Sequence, residues 1–297
     1  MASIPNRGLF AASLPLLLAA CAADEQAQQG AQPASAGASG SVTSILNAGV
    51  TANIGLPGEP LKFLFDPLYD NHFGSLEQLD EALIERIVAG EAPYDNVTAV
   101  FVSHAHGDHF SARHITRMLA AQSELLLVAP SQAVELMRSV EEWDPTLATR
   151  VTAISLENGE QAEAFDIEGA RIEAFRSPHS GWPVRHSDVH NITFRVSAPT
   201  DQAMVHRVMH MGDADPGTEY YVPHAEFLSS ARTGLAIVPF WFLNQDEVDA
   251  LIDTTLNAEA AVGMHVPAQE PGWLEGSGRD YFSGEGQQLA VPETGED

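Results

Sequence analysis

The sequence predicts a layered α/β fold, and three observations carry that prediction. Apolar, β-rich runs alternate with amphipathic segments along most of the chain. Candidate metal-binding residues fall directly after four of those runs. A hydrophobic content of 44% over 297 residues is enough for a substantial core. Strand and helix patterns that alternate in this way suit sheets covered by helices, and the length fits one large unit or two smaller ones.

The expected strands are Leu61–Phe65, Thr98–Ser103, Leu125–Ala129, Arg150–Ile154, Arg171–Phe175, Asn191–Val196, Arg207–Met211, Leu235–Val238 and Ala260–Met264. A helix is expected from Ser75, where Ser75 and Gln78 stand in capping-box relation. Leu76, Leu79, Leu83, Ile84 and Ile87 follow at helical spacing as its core-facing stripe. A second helix is expected from Asn244, paired with Glu247, and shorter ones over Ala112–Ala121 and Gln132–Val140.

The ends of the chain read differently. Arg7 is the only charged residue before Asp24, and Leu9–Ala20 is almost continuously apolar. That is the pattern of a signal segment, too short for a permanent membrane helix. It closes in Leu18-Ala19-Ala20-Cys21, which resembles the bacterial lipobox. The resemblance implies that residues 1–20 are removed and Cys21 is acylated. With Ala22 next, it further implies a lipid anchor in the outer membrane of the cell envelope, facing the periplasm. Cys21 is the only cysteine, so no intrachain disulfide can form. Residues 21–41 read as an Ala, Gln, Gly and Ser tether, 42–268 as the folded body, and 269–297 as an acidic, Gly-rich tail whose last ten residues are expected to be loose.

Charge excludes one class of partner. Forty-one acidic residues face 14 basic ones, for a net charge of −27, and Lys62 is the only lysine. Such a chain cannot neutralise a row of phosphates, so no nucleic-acid partner is expected.

The chemistry concentrates in His104-Ala105-His106-Gly107-Asp108-His109, which follows the apolar run Ala99-Val100-Phe101-Val102. A tight loop at a strand end turns short side chains toward one point, and neutral imidazoles with a carboxylate bind a divalent ion well. His179, Asp213 and His265 each follow another predicted strand. Ligands delivered by four strand ends define a site at one rim of a sheet.

This pattern, from about Ile45 to Pro267, resembles the metallo-β-lactamase fold superfamily. The resemblance implies an αββα sandwich with two divalent ions, most readily Zn2+, with Mn2+ or Fe2+ open. It assigns His104, His106 and His179 to the first ion, and Asp108, His109 and His265 to the second, with Asp213 as bridge. His190 competes with His179 for the third-histidine role. Asp66 is expected to brace the loop. Asp213 stands where some lactamases place a cysteine, which is similar to the branch containing N-acylphosphatidylethanolamine phospholipase D and ascorbate-6-phosphate lactonase. The implied activity is hydrolysis by a hydroxide held between the ions and oriented by Asp108. The expected substrate is a small molecule or lipid, a phosphodiester before a lactone or carboxylic ester, with a non-catalytic binding lipoprotein as the other class. Arg185, His72 and Trp241 are the candidate substrate contacts.

Overall fold

The computed structural model describes residues 40–201 and 203–295. The signal segment, Cys21 and nearly all of the tether lie outside the described residues. Among the described residues fourteen strands form, β1 (Ser41–Leu46), β2 (Gly49–Ile54), β3 (Leu61–Phe65), β4 (Ala99–Phe101), β5 (Leu126–Pro130), β6 (Val151–Ile154), β7 (Glu163–Ile167), β8 (Ala170–Arg176), β9 (Ile192–Pro199), β10 (Met204–His210), β11 (Thr233–Pro239), β12 (Ala258–Met264), β13 (Gln288–Ala290) and β14 (Glu293–Gly295). The helices are α1 (Glu81–Ala89), α2 (Ala112–Ala121), α3 (Ser131–Met137), α4 (Ala225–Ser230), α5 (Val248–Ala250) and α6 (Gly272–Glu275).

One sheet runs β13-β1-β2-β3-β4-β5-β6 and the other β12-β11-β10-β9-β8-β7, with β14 added alongside β10. Their facing sides share one apolar core, in which Phe65 stacks on Phe101 at 4.9 Å and Phe101 meets Phe194 of the other sheet at 5.1 Å. A second core lies where α1, α2 and α3 cover Leu64, Val100 and Leu127 of the first sheet. A third packs α4, α5 and α6 on Phe175, Met209 and Val238 of the second. The architecture is therefore an αββα sandwich, because each sheet is apolar on both faces and must bury both.

Strand direction explains where the ligands gather. β3, β4, β5 and β6 are mutually parallel, as are β10, β11 and β12. β9 is antiparallel to both β8 and β10, so β8 shares the direction of β10. Parallel strands place their C-terminal ends on one edge, and the loops that follow β3, β4, β8, β10 and β12 meet there.

Several expectations shift. The first helix starts at Glu81 rather than at Ser75, because Asp80, not Ser75, caps it: the Asp80 carboxylate accepts the Leu83 N–H at 2.7 Å. Leu76 and Leu79 are still buried, as part of the chain leading in. The segment from Asn244 does not form one helix; a 3-10 turn over Phe240–Asn244 is followed by α5 and a π turn, with no side-chain cap at Glu247. The tail does not stay loose over its described length. β13 pairs with β1 and β14 with β10, so the last strands tie to both sheets.

Candidate metal centre

Seven side chains converge at this rim in two sets. His104, His106 and His179 form one, and Asp108, His109, Asp213 and His265 the other, with the ligand atoms of each set within 4.8 Å of one another. These are the seven residues that the sequence singled out. His190 is not among them; its backbone N–H donates to Gln132 Oε1 at 2.9 Å.

The loop after β4 folds back on itself, since the His106 carbonyl accepts the N–H of both His109 and Phe110. Ser111 then caps α2, accepting the His114 N–H. Beneath this turn lies Asp66, fully buried. Its Oδ1 accepts the Ser103 N–H at 2.7 Å, and its Oδ2 accepts the His109 Nδ1–H at 2.7 Å and the Ser103 hydroxyl. Ser103 Oγ in turn stands 3.0 Å from His104 Nδ1. A proton on each Nδ1 satisfies this network and leaves Nε2 of His104 and His109 free to ligate. His179 is oriented the same way, with Nδ1 3.0 Å from the Ser180 carbonyl.

Two buried asparagines complete the frame. Asn191 Nδ2 donates to Ser177 Oγ and to the Met211 carbonyl, and Asn191 Oδ1 accepts the Asp213 N–H at 2.9 Å. It thus joins the loop that carries His179 to the loop that carries Asp213. Gly212 sits between them at φ +54, and a Cβ there would lie 2.2 Å from Asn191 Oδ1 and 2.6 Å from Ser103 Cβ. Only glycine fits that position. Asn47, in the β1–β2 turn, donates to the Asp108 carbonyl at 2.7 Å and accepts the His265 N–H at 3.1 Å.

The donor atoms fit metal ions. His106 Nδ1 lies 3.2 Å from His104 Nε2 and 3.2 Å from His179 Nε2. The edge of a tetrahedral zinc site with ordinary Zn–N bonds is about 3.3 Å. In the second set, Asp108 Oδ1, His109 Nε2 and Asp213 Oδ1 are buried without a hydrogen-bond partner, though His109 Nε2 and Asp213 Oδ1 are 3.0 Å apart. Buried donors left unpaired in this way are costly unless a cation satisfies them. Asp213 reaches both sets, with Oδ2 3.5 Å from His179 Nε2 and Oδ1 3.6 Å from His265 Nε2.

Electrostatics separate the two sets. Burial holds His104 well below the usual histidine range and lowers His179 to about 4, while His106 is also lowered by burial. Burial also penalises the charged form of His109, but the Asp213 charge and the Asp66 carboxylate on its Nδ1–H outweigh it and raise His109. Burial likewise opposes ionisation of Asp213, yet the His265 and His109 charges hold it far below the carboxylate range.

Of the expected substrate contacts, Trp241 lies against the centre, its ring 5.5 Å from His265 and its indole N–H donating to the Ala214 carbonyl. Arg185 is exposed and folds against Gly181, its Nε 3.1 Å from where a Cβ would stand there. His72 turns to its own loop, its Nδ1 accepting the Gly74 N–H. His186, in the loop that follows His179, also comes to the centre. Its ring stands 4.6 Å from that of His179 and 5.2 Å from that of His106, at φ +57. The turn that brings it back is closed by the Gly181 carbonyl, which accepts the Arg185 N–H at 2.9 Å.

A family model for the β-lactamase superfamily domain matches residues 62–271. The chain belongs to that superfamily. By family and donor set together it is a metal-dependent hydrolase of the metallo-β-lactamase superfamily. Solved structures agree on the fold. A "possible metal-dependent hydrolase" from Veillonella parvula matches with a TM-score of 0.55 and 16% identity, over 86% of this chain and 100% of that one. An isothiocyanate hydrolase from Delia radicum gut bacteria matches with a TM-score of 0.51 and 15% identity, over 84% and 98% of the two chains. No curated protein matches the sequence.

Proposed function

We propose that this chain hydrolyses phosphodiesters at a centre of two divalent ions, zinc foremost, and that Cys21 tethers it to the bacterial envelope. The observation that carries the reading is Asp213, whose carboxylate faces both donor sets at once. Two ions bound side by side supply Lewis acidity, an activated water and a clamp for the attacking and leaving oxygens of an in-line displacement. His104, His106 and His179 would hold one ion, and Asp108, His109 and His265 the other, with Asp213 shared.

The remaining steps belong to the protein. Asp108 Oδ2 is 3.0 Å from His265 Nε2, while its Oδ1 has no partner. The Asp108 oxygen that does not ligate the ion can accept a proton from the attacking water and fix its direction. Asp66, Asn47 and Asn191 keep the donors in place before substrate arrives, so little reorganisation remains for the reaction itself. The Trp241 face, with its N–H already engaged, offers an apolar wall beside His265.

The test uses the purified full-length chain in detergent, loaded with zinc or manganese, and bis(p-nitrophenyl) phosphate as substrate. Turnover that disappears in His106→Ala and Asp213→Ala supports the diesterase. A protein that keeps two metals and shows no turnover would falsify this substrate class and direct the assay to lactones and carboxylic esters. Release of the protein from membranes by Cys21→Ser, with unchanged turnover, is the result expected of a lipid tether.

A further inference from the structure

A trough of about 440 Å³ opens beside the metal centre, with His106 in its lining. It runs between α3 and the segment that follows His186, so a substrate held at the ions would extend into it. Leu136, itself 47% exposed, and Val189 supply apolar wall. Glu135 and Asp188 are its charged groups, and no Lys or Arg lines it. Apart from the His106 ring, whose Nδ1 faces the other histidines of the centre, the side-chain donors that line it are spent within the protein. Gln132 Nε2 donates to the Asp188 carbonyl at 2.6 Å while its Oε1 accepts the His190 N–H, and the Ser139 hydroxyl donates to the Leu136 carbonyl.

A group with this surrounding meets apolar surface and two carboxylates, and no Lys or Arg that would attract an anion. We propose that the trough is a subsite for an alkylated ammonium group on the substrate, so that the enzyme prefers phosphodiesters whose substituent carries a positive charge a few bonds from phosphorus. This rests on the diesterase reading and adds the selectivity to it. The net charge of −27 acts in the same sense, since it draws cations and repels anions at long range. Exposed carboxylates are worth little each, so the preference is graded rather than absolute, about two- to fivefold per carboxylate.

The experiment compares three ligands of matched size: methylphosphonate esters of choline, of 3,3-dimethylbutanol and of 4-hydroxybutanoate. Their dissociation constants are measured by calorimetry on the zinc-loaded full-length protein. The p-nitrophenyl phosphodiesters of the same alcohols are assayed in parallel. The choline ester is expected to bind tightest and the carboxylate weakest, with the choline advantage over its neutral isostere shrinking in Glu135→Gln and Asp188→Asn. Both side chains are exposed, so these variants should keep the wild-type melting temperature. Equal affinity across the series, or a preference for the carboxylate, overturns the subsite while leaving the diesterase intact. The expected order of binding without hydrolysis of any diester supports the subsite and sinks the reaction. No binding by any of the three removes both.

Discussion

The two donor sets lie side by side, yet burial is decisive in one and charge pairing in the other. Among the imidazoles of His104, His106 and His179, burial dominates and all three are held in the neutral form that a metal needs. Around Asp108, His109, Asp213 and His265, attraction between opposite charges overcomes burial, which raises His109 and lowers both carboxylates. The first position is thus an uncharged nitrogen site, and the second is rich in carboxylate oxygen. Imidazole suits zinc, whereas carboxylates tolerate harder ions such as manganese. The lesson is that one rim holds two positions of different hardness, joined by a single shared carboxylate.

The largest effect should therefore come from that shared group. Asp213→Asn removes a charge from both positions, and turnover is expected to fall on the order of 10³-fold or more. Metal content, measured on the same sample by mass spectrometry, should drop below two per chain. A variant that retains both ions and near-normal turnover would break the bridged picture altogether. Next come variants confined to one set. His106→Ala should lose the ion that resists exchange, and Asp108→Ala the one that manganese replaces readily. If both variants lose the same ion, the two positions are not independent.

A smaller and more selective effect is expected from Asp66→Asn. Asp66 touches His109 Nδ1 directly, and reaches the first set only through the Ser103 hydroxyl and His104. Carboxylates that brace a ligating histidine usually contribute about 10–100-fold in metal affinity. Chelator competition should show that loss for the second ion, with the first changed little. Equal weakening of both would mean that Ser103 transmits the change, and Ser103→Ala would then reproduce it.

Much of this centre was legible in the sequence because its chemistry is compact. Three histidines and an aspartate in six residues need only one turn to converge, and that turn directly follows a strand. His179, Asp213 and His265 were legible because each closes an apolar run, and parallel strands carry such ends to one edge. Asn47 and Asn191 were not, since a buried asparagine that joins two loops looks in sequence like any turn residue. The short strands β13 and β14 were hidden for a related reason. Glu293–Gly295 has no strand pattern of its own and pairs because β10 offers an open edge beside it. The first helix began late because a better cap, Asp80, stood further along than Ser75.

The mildest test of the comparison is a histidine that resembles a ligand without being one. His224 is 2% exposed, packs 4.5 Å from Phe175, and neither ring nitrogen meets a well-formed hydrogen bond. What distinguishes it from His104 is solitude: no second donor converges with it, so no ion is expected there. Burial lowers its basicity, opposed in part by the Arg176 backbone. A histidine whose folded pKa is depressed contributes stability above its unfolded value, near 6.5, and loses it as pH falls through the folded value. The zinc-loaded protein should therefore melt earlier as pH drops from about 7 to about 5, and His224→Phe should flatten that slope, at about 2–4 °C per kcal/mol for a chain of this size. Metal content should not change in the variant. A variant that sheds an ion instead would show that unpaired ring nitrogens, not convergence, mark the ligands in this fold.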